Sequence, residues 1–143
     1  MFSNPTMSNS PRTMTDFDLR RLDALCERIR SEVRPPLTLT ALERETDRAI
    51  VVKPEAVPAS VVTMNSEVEI VDLDTKDSRC VTLVFPSTAG IEDGRVSVLA
   101  PLGTALLGSC EGTPIEWNTP RGARRLRVGR IVYQPEAAGR YDL

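Results

Sequence analysis

The sequence predicts an α+β fold, in which an N-terminal antiparallel helical hairpin (a short coiled coil) is followed by an antiparallel β-sheet domain with one short helix. Three observations predict it. Apolar residues recur at three- and four-residue steps as far as Ile50 and at two-residue steps from Val61 onward, so the hydrophobic period changes from that of a helix to that of a strand. Pro35 and Pro36 split the helical part, and the segment Lys53 to Pro58, with its two prolines, separates it from the extended part. Finally, Pro101 to Gly108 starts with proline and ends with glycine, the asymmetry of a single short helix.

Taken in order, residues 1–14 are rich in Ser, Asn, Thr and Pro with nothing periodic to bury, which predicts a disordered tail. Thr15 or Asp16 then supplies an N-cap, and Leu19, Leu22, Leu25, Cys26, Ile29 and Val33 form the stripe of an amphipathic helix. Proline lacks an amide donor and restricts the residue before it, so Pro35 and Pro36 end this helix. A second helix starts near Thr38 or Thr40 on the stripe Leu39, Leu42, Thr46, Ala49 and Ile50. At 1.5 Å per residue the two helices span roughly 27 Å and roughly 20 Å. Helices this short need each other and the domain at their base, so residues 15–53 make a stubby finger.

A linker at 54–60 leads to a β domain at 61–143. Val62 and Met64, then Val68, Ile70 and Leu73, suggest strand, as do Val81, Leu83 and Phe85, and Val96 with Val98. Turn residues divide them at Asp74 to Asp77, Ala89-Gly90 and Asp93-Gly94. Thr113 to Asn118 and Leu126 to Gln134 complete an antiparallel sheet of about five strands with one helix over it.

Composition narrows the function classes. The chain has 143 residues, is 41% hydrophobic and 27% charged, and is expected to fold over most of its length. A net charge of -2 leaves no basic excess for nucleic acid or anionic lipid, which favours a protein partner. The middle is acidic, with Glu67, Glu69, Asp72, Asp74, Asp77, Glu92 and Asp93, whereas Arg121, Arg124, Arg125, Arg127 and Arg130 make a late basic segment. Cys26, Cys80 and Cys110 are odd in number and lack a CxxC pair, which fits reduced thiols of a cytoplasmic protein better than disulfides or zinc ligands. There is no histidine, and hence neither the commonest general base nor the commonest metal ligand. No apolar run has the length of a membrane span, and the first residues lack the apolar stretch of a signal peptide.

No motif points to catalysis. Gly103 and Gly108 have the spacing of phosphate-loop glycines, but Ser109-Cys110 stands where the loop requires Lys followed by Ser or Thr, so they read as turn and cap. The late arginines have no interleaved aromatics to stack on bases and read as a solvated strand face. The carboxylates form no pair whose spacing marks an acid and a base. Trp117, Phe85, Tyr133 and Tyr141 read as core packing.

Two stretches carry a family resemblance. Val61-Val62-Thr63-Met64-Asn65-Ser66 opens the β domain, and Val96-Ser97-Val98-Leu99-Ala100-Pro101-Leu102-Gly103-Thr104-Ala105-Leu106-Leu107-Gly108 crosses its helix. The second resembles the strand, Pro and Gly-x-Ala-Leu-Leu-Gly segment in the C-terminal domain of the Gre transcript-cleavage factors. The order of hairpin, linker and domain is still more similar to the regulators of nucleoside diphosphate kinase (Rnk), relatives of those factors, as is the ending Tyr133-Gln134-Pro135-Glu136-Ala137-Ala138-Gly139-Arg140-Tyr141. The similarity runs from Thr15 to the last residue, strong in the β domain and weak in the hairpin, where mainly Leu42 to Arg48 agrees.

The resemblance implies an FKBP-like C-terminal domain that grips the rim of the secondary channel of RNA polymerase. The contact falls on Leu99, Ala100 and Pro101, with Leu102 and Gly103 beside them. A turn started by proline is ordered before it binds, which lowers the entropy lost on docking. Gre factors that stimulate cleavage carry acidic residues at the tip of a long coiled coil. Here the tip, Ile29 to Thr38, offers Glu32 alone among Arg28, Arg30 and Arg34, and cations repel a divalent metal. The expectation is a monomeric regulator that occupies the channel entrance and competes with Gre-type factors without stimulating cleavage. It is expected to have no catalytic residue, cofactor or metal, and to bind neither membrane nor specific nucleic acid sequences. Two other readings stand beside it. One is an FKBP-like prolyl isomerase, although four aromatics after residue 60 are few for both a core and a pocket. The other is a protein-binding module that regulates nucleoside diphosphate kinase.

Overall fold

The computed structural model describes residues 12–32, 34–90, 93–119 and 121–143, without the side chains of 117–119. It is an α+β fold with elements in the order β1 (Thr13–Thr15), α1 (Asp16–Arg30), α2 (Thr38–Asp47), β2 (Ile50–Val52), β3 (Glu67–Asp72), β4 (Ser78–Val84), β5 (Arg95–Ser97), α3 (Pro101–Leu106), β6 (Pro114–Thr119) and β7 (Gly122–Tyr133). Strands β1 and β2 pair in a small parallel sheet, and the other five form a sheet in the order β5-β4-β3-β7-β6.

The helices follow their local chemistry. Thr15 is extended and its hydroxyl accepts from the Asp18 amide, so α1 starts with a side-chain cap and two acidic residues in its first turn. It stops at Arg30, ahead of the two prolines. Leu22, Leu25, Cys26 and Ile29 of α1 and Leu39 and Leu42 of α2 are buried, and the Arg30 guanidinium pairs with Glu43 across the two helices. Helix α3 begins on Pro101, where a missing amide costs nothing, and the chain leaves it through Gly108 at φ +76°.

The β domain departs from expectation in its sheet. β3, β4, β6 and β7 pair antiparallel, but β4 and β5 run parallel, so the five-stranded sheet is mixed. The reason lies between β4 and β5. A 3-10 turn at Pro86–Thr88 and the bridge between Gly90 and Arg95 carry the chain back along the sheet, where a tight hairpin would have reversed it. Val61 to Met64 form no strand. They are buried, bridged at Val61 to Cys110, and lead into a turn in which Asn65 takes φ +67°.

Two other expectations are corrected. The tail expected at residues 1–14 does not hold for its end, since Arg12 and Met14 are buried and Thr13–Thr15 is a strand. Pairing with β2 satisfies the backbone there, and the buried neighbours satisfy the side chains. Ile50 belongs to β2 and not to the second helix, which ends at Asp47 and hands the chain to this sheet. The helix pair and the β domain share one core. Met14, Leu22, Leu25, Leu39 and Leu42 lie in one cluster with Val62, Met64, Leu83 and Leu106. The expectations placed on residues 1–11, Val33, Glu92 and the side chain of Trp117 lie outside the described residues.

Candidate functional site

The segment from β5 into α3 is a rigid corner built from backbone and two hydroxyls. Ser97 Oγ accepts from the Leu99 amide at 3.0 Å, and the Ser97 carbonyl accepts from the Ala100 amide at 3.0 Å. Thr104 Oγ1 donates to the Val98 carbonyl at 2.6 Å, tying the helix back to the strand it came from. Ala100 holds φ -70° and ψ 149°, an extended N-cap, and Pro101 fixes φ at the next position. Gly103 closes the corner. A Cβ on it would stand 2.0 Å from the Ser97 carbonyl oxygen, so only glycine lets the helix lie this close to the turn.

The five residues expected to touch a partner divide by exposure. Pro101 is exposed and Ala100 is half-buried, so both present surface to solvent. Leu99 is half-buried and packs in part against the core. Leu102 and Gly103 are buried and act from inside, one as core and one as the point of close approach. The corner therefore offers a narrow apolar knob led by Pro101.

At the far end of the helix pair, Arg28, Glu32 and Arg34 are exposed, Leu37 is almost wholly so, and Arg30 is held by Glu43. Among the described residues no group of three or more His, Cys, Asp or Glu is placed to hold a metal. The late arginines are exposed, and two of them brace the β6–β7 arm. Arg124 pairs with Asp72 and Arg125 with Asp74 on the β3–β4 turn. Three acceptor contacts, from the Asp74 and Thr75 amides and Arg124, hold the Asp72 carboxyl down at about 2. Beside this brace lies an open groove of about 390 Å³ over Ile70 and Leu126, rimmed by Thr75, Asp77, Ser78 and Arg79. Its lining contains no aromatic side chain among the described residues. The three cysteines are free thiols, and burial pushes that of Cys26 up to about 11.

Two buried charges join the helix pair to the β domain, and neither stood out in the sequence. Arg12 donates to the carbonyls of Ala105 and Leu107 at 2.7 and 2.9 Å and to Ser109 Oγ at 2.9 Å, capping the end of α3. Glu45 of α2 stands 3.9 Å away, while desolvation lowers the guanidinium pKa. Asp18 of α1 accepts from the Met64 amide at 3.0 Å, in the turn that opens the β domain. Its neighbour Arg21 lies over the rings of Phe17 and Phe85, 4.1 and 4.9 Å from their centroids. Neither tie has a local sequence signature, because Met64 and the acceptors of Arg12 stand tens of residues away.

Known proteins share this architecture. A family model described as the C-terminal part of the GreA/GreB transcription elongation factors matches residues 43–133. The "Regulator of nucleoside diphosphate kinase" of Escherichia coli strain K12 is 41% identical over 138 residues, which is 96% of this chain and 100% of that protein. The "Transcription elongation factor GreA" of Hyphomonas neptunium is 32% identical over 96 residues, 67% of this chain and 61% of that factor. A solved GreA/GreB structure from Nitrosomonas europaea superposes with a TM-score of 0.72 at 37% identity, covering 85% of this chain and 99% of its own. The matched residues 43–133 include the whole corner from Ser97 to Gly108.

Proposed function

The chain belongs to the GreA/GreB transcription elongation factor family, alongside the regulators of nucleoside diphosphate kinase, and on that premise we propose that it docks on the secondary-channel rim of RNA polymerase through the corner at Leu99, Ala100 and Pro101. The observation that carries this reading is the corner itself. It is an exposed proline on a turn that three hydrogen bonds and the close approach at Gly103 hold in one shape, so little conformational entropy is lost on docking. Leu102 and Gly103 set its shape from beneath.

The helix pair in this reading is a short antiparallel finger on an FKBP-like domain. Its tip holds Glu32 between Arg28 and Arg34, a charge pattern unsuited to delivering a divalent cation. The factor therefore occupies the channel entrance as a monomer, excludes Gre-type factors by mass action, and does not stimulate transcript cleavage. The test is a competition assay with purified polymerase, this chain and a GreA-type factor, together with a cleavage assay on stalled complexes. The expected result is displacement of the GreA-type factor with no shortening of the transcript. Simultaneous, independent binding of both factors refutes competition, and transcript trimming by this chain refutes the account of the tip.

The name of the 41% identical relative supports a second reading, regulation of nucleoside diphosphate kinase. Direct capture of purified kinase by the chain tests it, and an effect on kinase level without capture places that influence in transcription.

A further inference from the structure

The joint between α1 and the β domain contains an imbalance of buried charge. Two carboxylates converge on the same four-residue turn, Thr63 to Ser66. Asp18 reaches it from α1 and accepts from the Met64 amide, while Glu136 reaches it from the C-terminal segment and accepts from Thr63 Oγ1 at 2.7 Å. Asp18 is 1% exposed and Glu136 is 7% exposed. The Thr63 hydroxyl is shared with Ser66 Oγ at 2.9 Å, and the turn itself carries no titratable side chain.

Among the described residues, one cation and one anion act on Asp18. Arg21 donates to Asp18 Oδ1 at 2.6 Å, and the Glu136 carboxylate acts on it through space. The same guanidinium also donates to the Leu143 carbonyl at 2.8 Å and is stacked between Phe17 and Phe85, so its position is fixed by groups other than Asp18. Asp16, the next acid on α1, points to Lys53 at 3.7 Å. Two buried anions set against one half-buried cation leave a net negative charge at the joint, and binding a proton discharges it.

We propose that this joint is an acid-strengthened latch, in which Asp18 takes up a proton in the mildly acidic range and the hold of α1 on the β domain becomes firmer as the pH falls. A neutral carboxyl can still accept from the Met64 amide, so protonation removes the desolvation penalty without breaking the contact to the turn. Burial is also the largest influence on Asp18, and it raises the carboxyl to about 6 from an ordinary 3.8, ahead of the opposing contacts from Met64 and Arg21. Because the folded form binds the proton more tightly than the unfolded chain, stability contributed at Asp18 is complete below about pH 4 and falls as the pH rises toward 6. Two pH units correspond to a change of about a hundredfold in the folding equilibrium. The latch works whatever the helix pair docks on, and its failure would leave the polymerase reading standing.

The experiment uses the full chain. Carbon NMR of the Asp18 carboxyl is expected to show a midpoint near pH 6; a midpoint at or below 4 overturns the proposal even if no variant folds. Urea unfolding between pH 4 and pH 7 is then compared with Asp18→Asn, which keeps an acceptor for Met64 but cannot titrate. The folding constant of the native chain, relative to the variant, is expected to fall about a hundredfold over that range. Parallel profiles overturn the proposal. So does a profile flattened by Glu136→Gln and left unchanged by Asp18→Asn, because the proton would then reside on Glu136. Amide exchange locates the effect. α1 amides should gain protection on acidification, and no gain there rules out a latch at this joint.

Discussion

At Gly103 one missing methyl group decides the geometry of a whole corner. A Cβ at 2.0 Å from a carbonyl oxygen cannot be accommodated by a rotamer change, because both sides of the contact are backbone. Gly103→Ala is therefore expected to destabilise the fold by about 3 kcal/mol, the upper part of the range for overpacking, measured by urea unfolding. Loss below about 0.5 kcal/mol would show that α3 can back away from β5 freely. Arg12 is the opposite case, a long charged side chain in a place that sequence reading assigns to a tail. Its value lies in three acceptors at the end of α3, and these are contributed by residues more than ninety positions away. The chain around it, Thr-Met-Thr, shows too brief an alternation to announce a strand.

Among the elements, α3 is the most informative, because its two ends have different jobs. Its start faces solvent at Pro101 and its end is plugged by Arg12. Ala100 occupies an N-cap position with suitable backbone angles but no side chain to cap with. Ala100→Asp should therefore raise stability by about 1 kcal/mol through capping, while placing a charge on the proposed docking knob. The expected outcome is a higher melting temperature together with at least tenfold weaker polymerase binding. Affinity unchanged in a stabilised variant would remove the corner from the interface. This substitution is a better probe than Leu99→Asp, since Leu99 packs partly against the core and a charge there disturbs the fold as well as the surface.

Across the molecule, the helix pair and the β domain share one apolar cluster and two buried polar ties, Arg12 between Glu45 and the end of α3 and Asp18 with Met64. Elements joined in this way unfold together. Calorimetry is expected to give a single transition, with equal calorimetric and van't Hoff enthalpies. Two resolved transitions would show that the helix pair and the β domain fold apart.

The period of the apolar residues determined the helices, most of the strands and the Pro-to-Gly helix, because side-chain spacing and the special backbones of proline and glycine act over a few residues. The proline and glycine at its ends marked the helix beside the corner, whereas Leu99 to Gly103 were singled out by the family resemblance, and their contact with a partner stays a proposal. The parallel pairing of β4 with β5, the burial of Arg12 and Met14, and the meeting of Asp18 with Glu136 were decided only by the tertiary structure. Each of these depends on groups far apart in the chain, where desolvation and long-range pairing, which leave no trace in local spacing, set the balance.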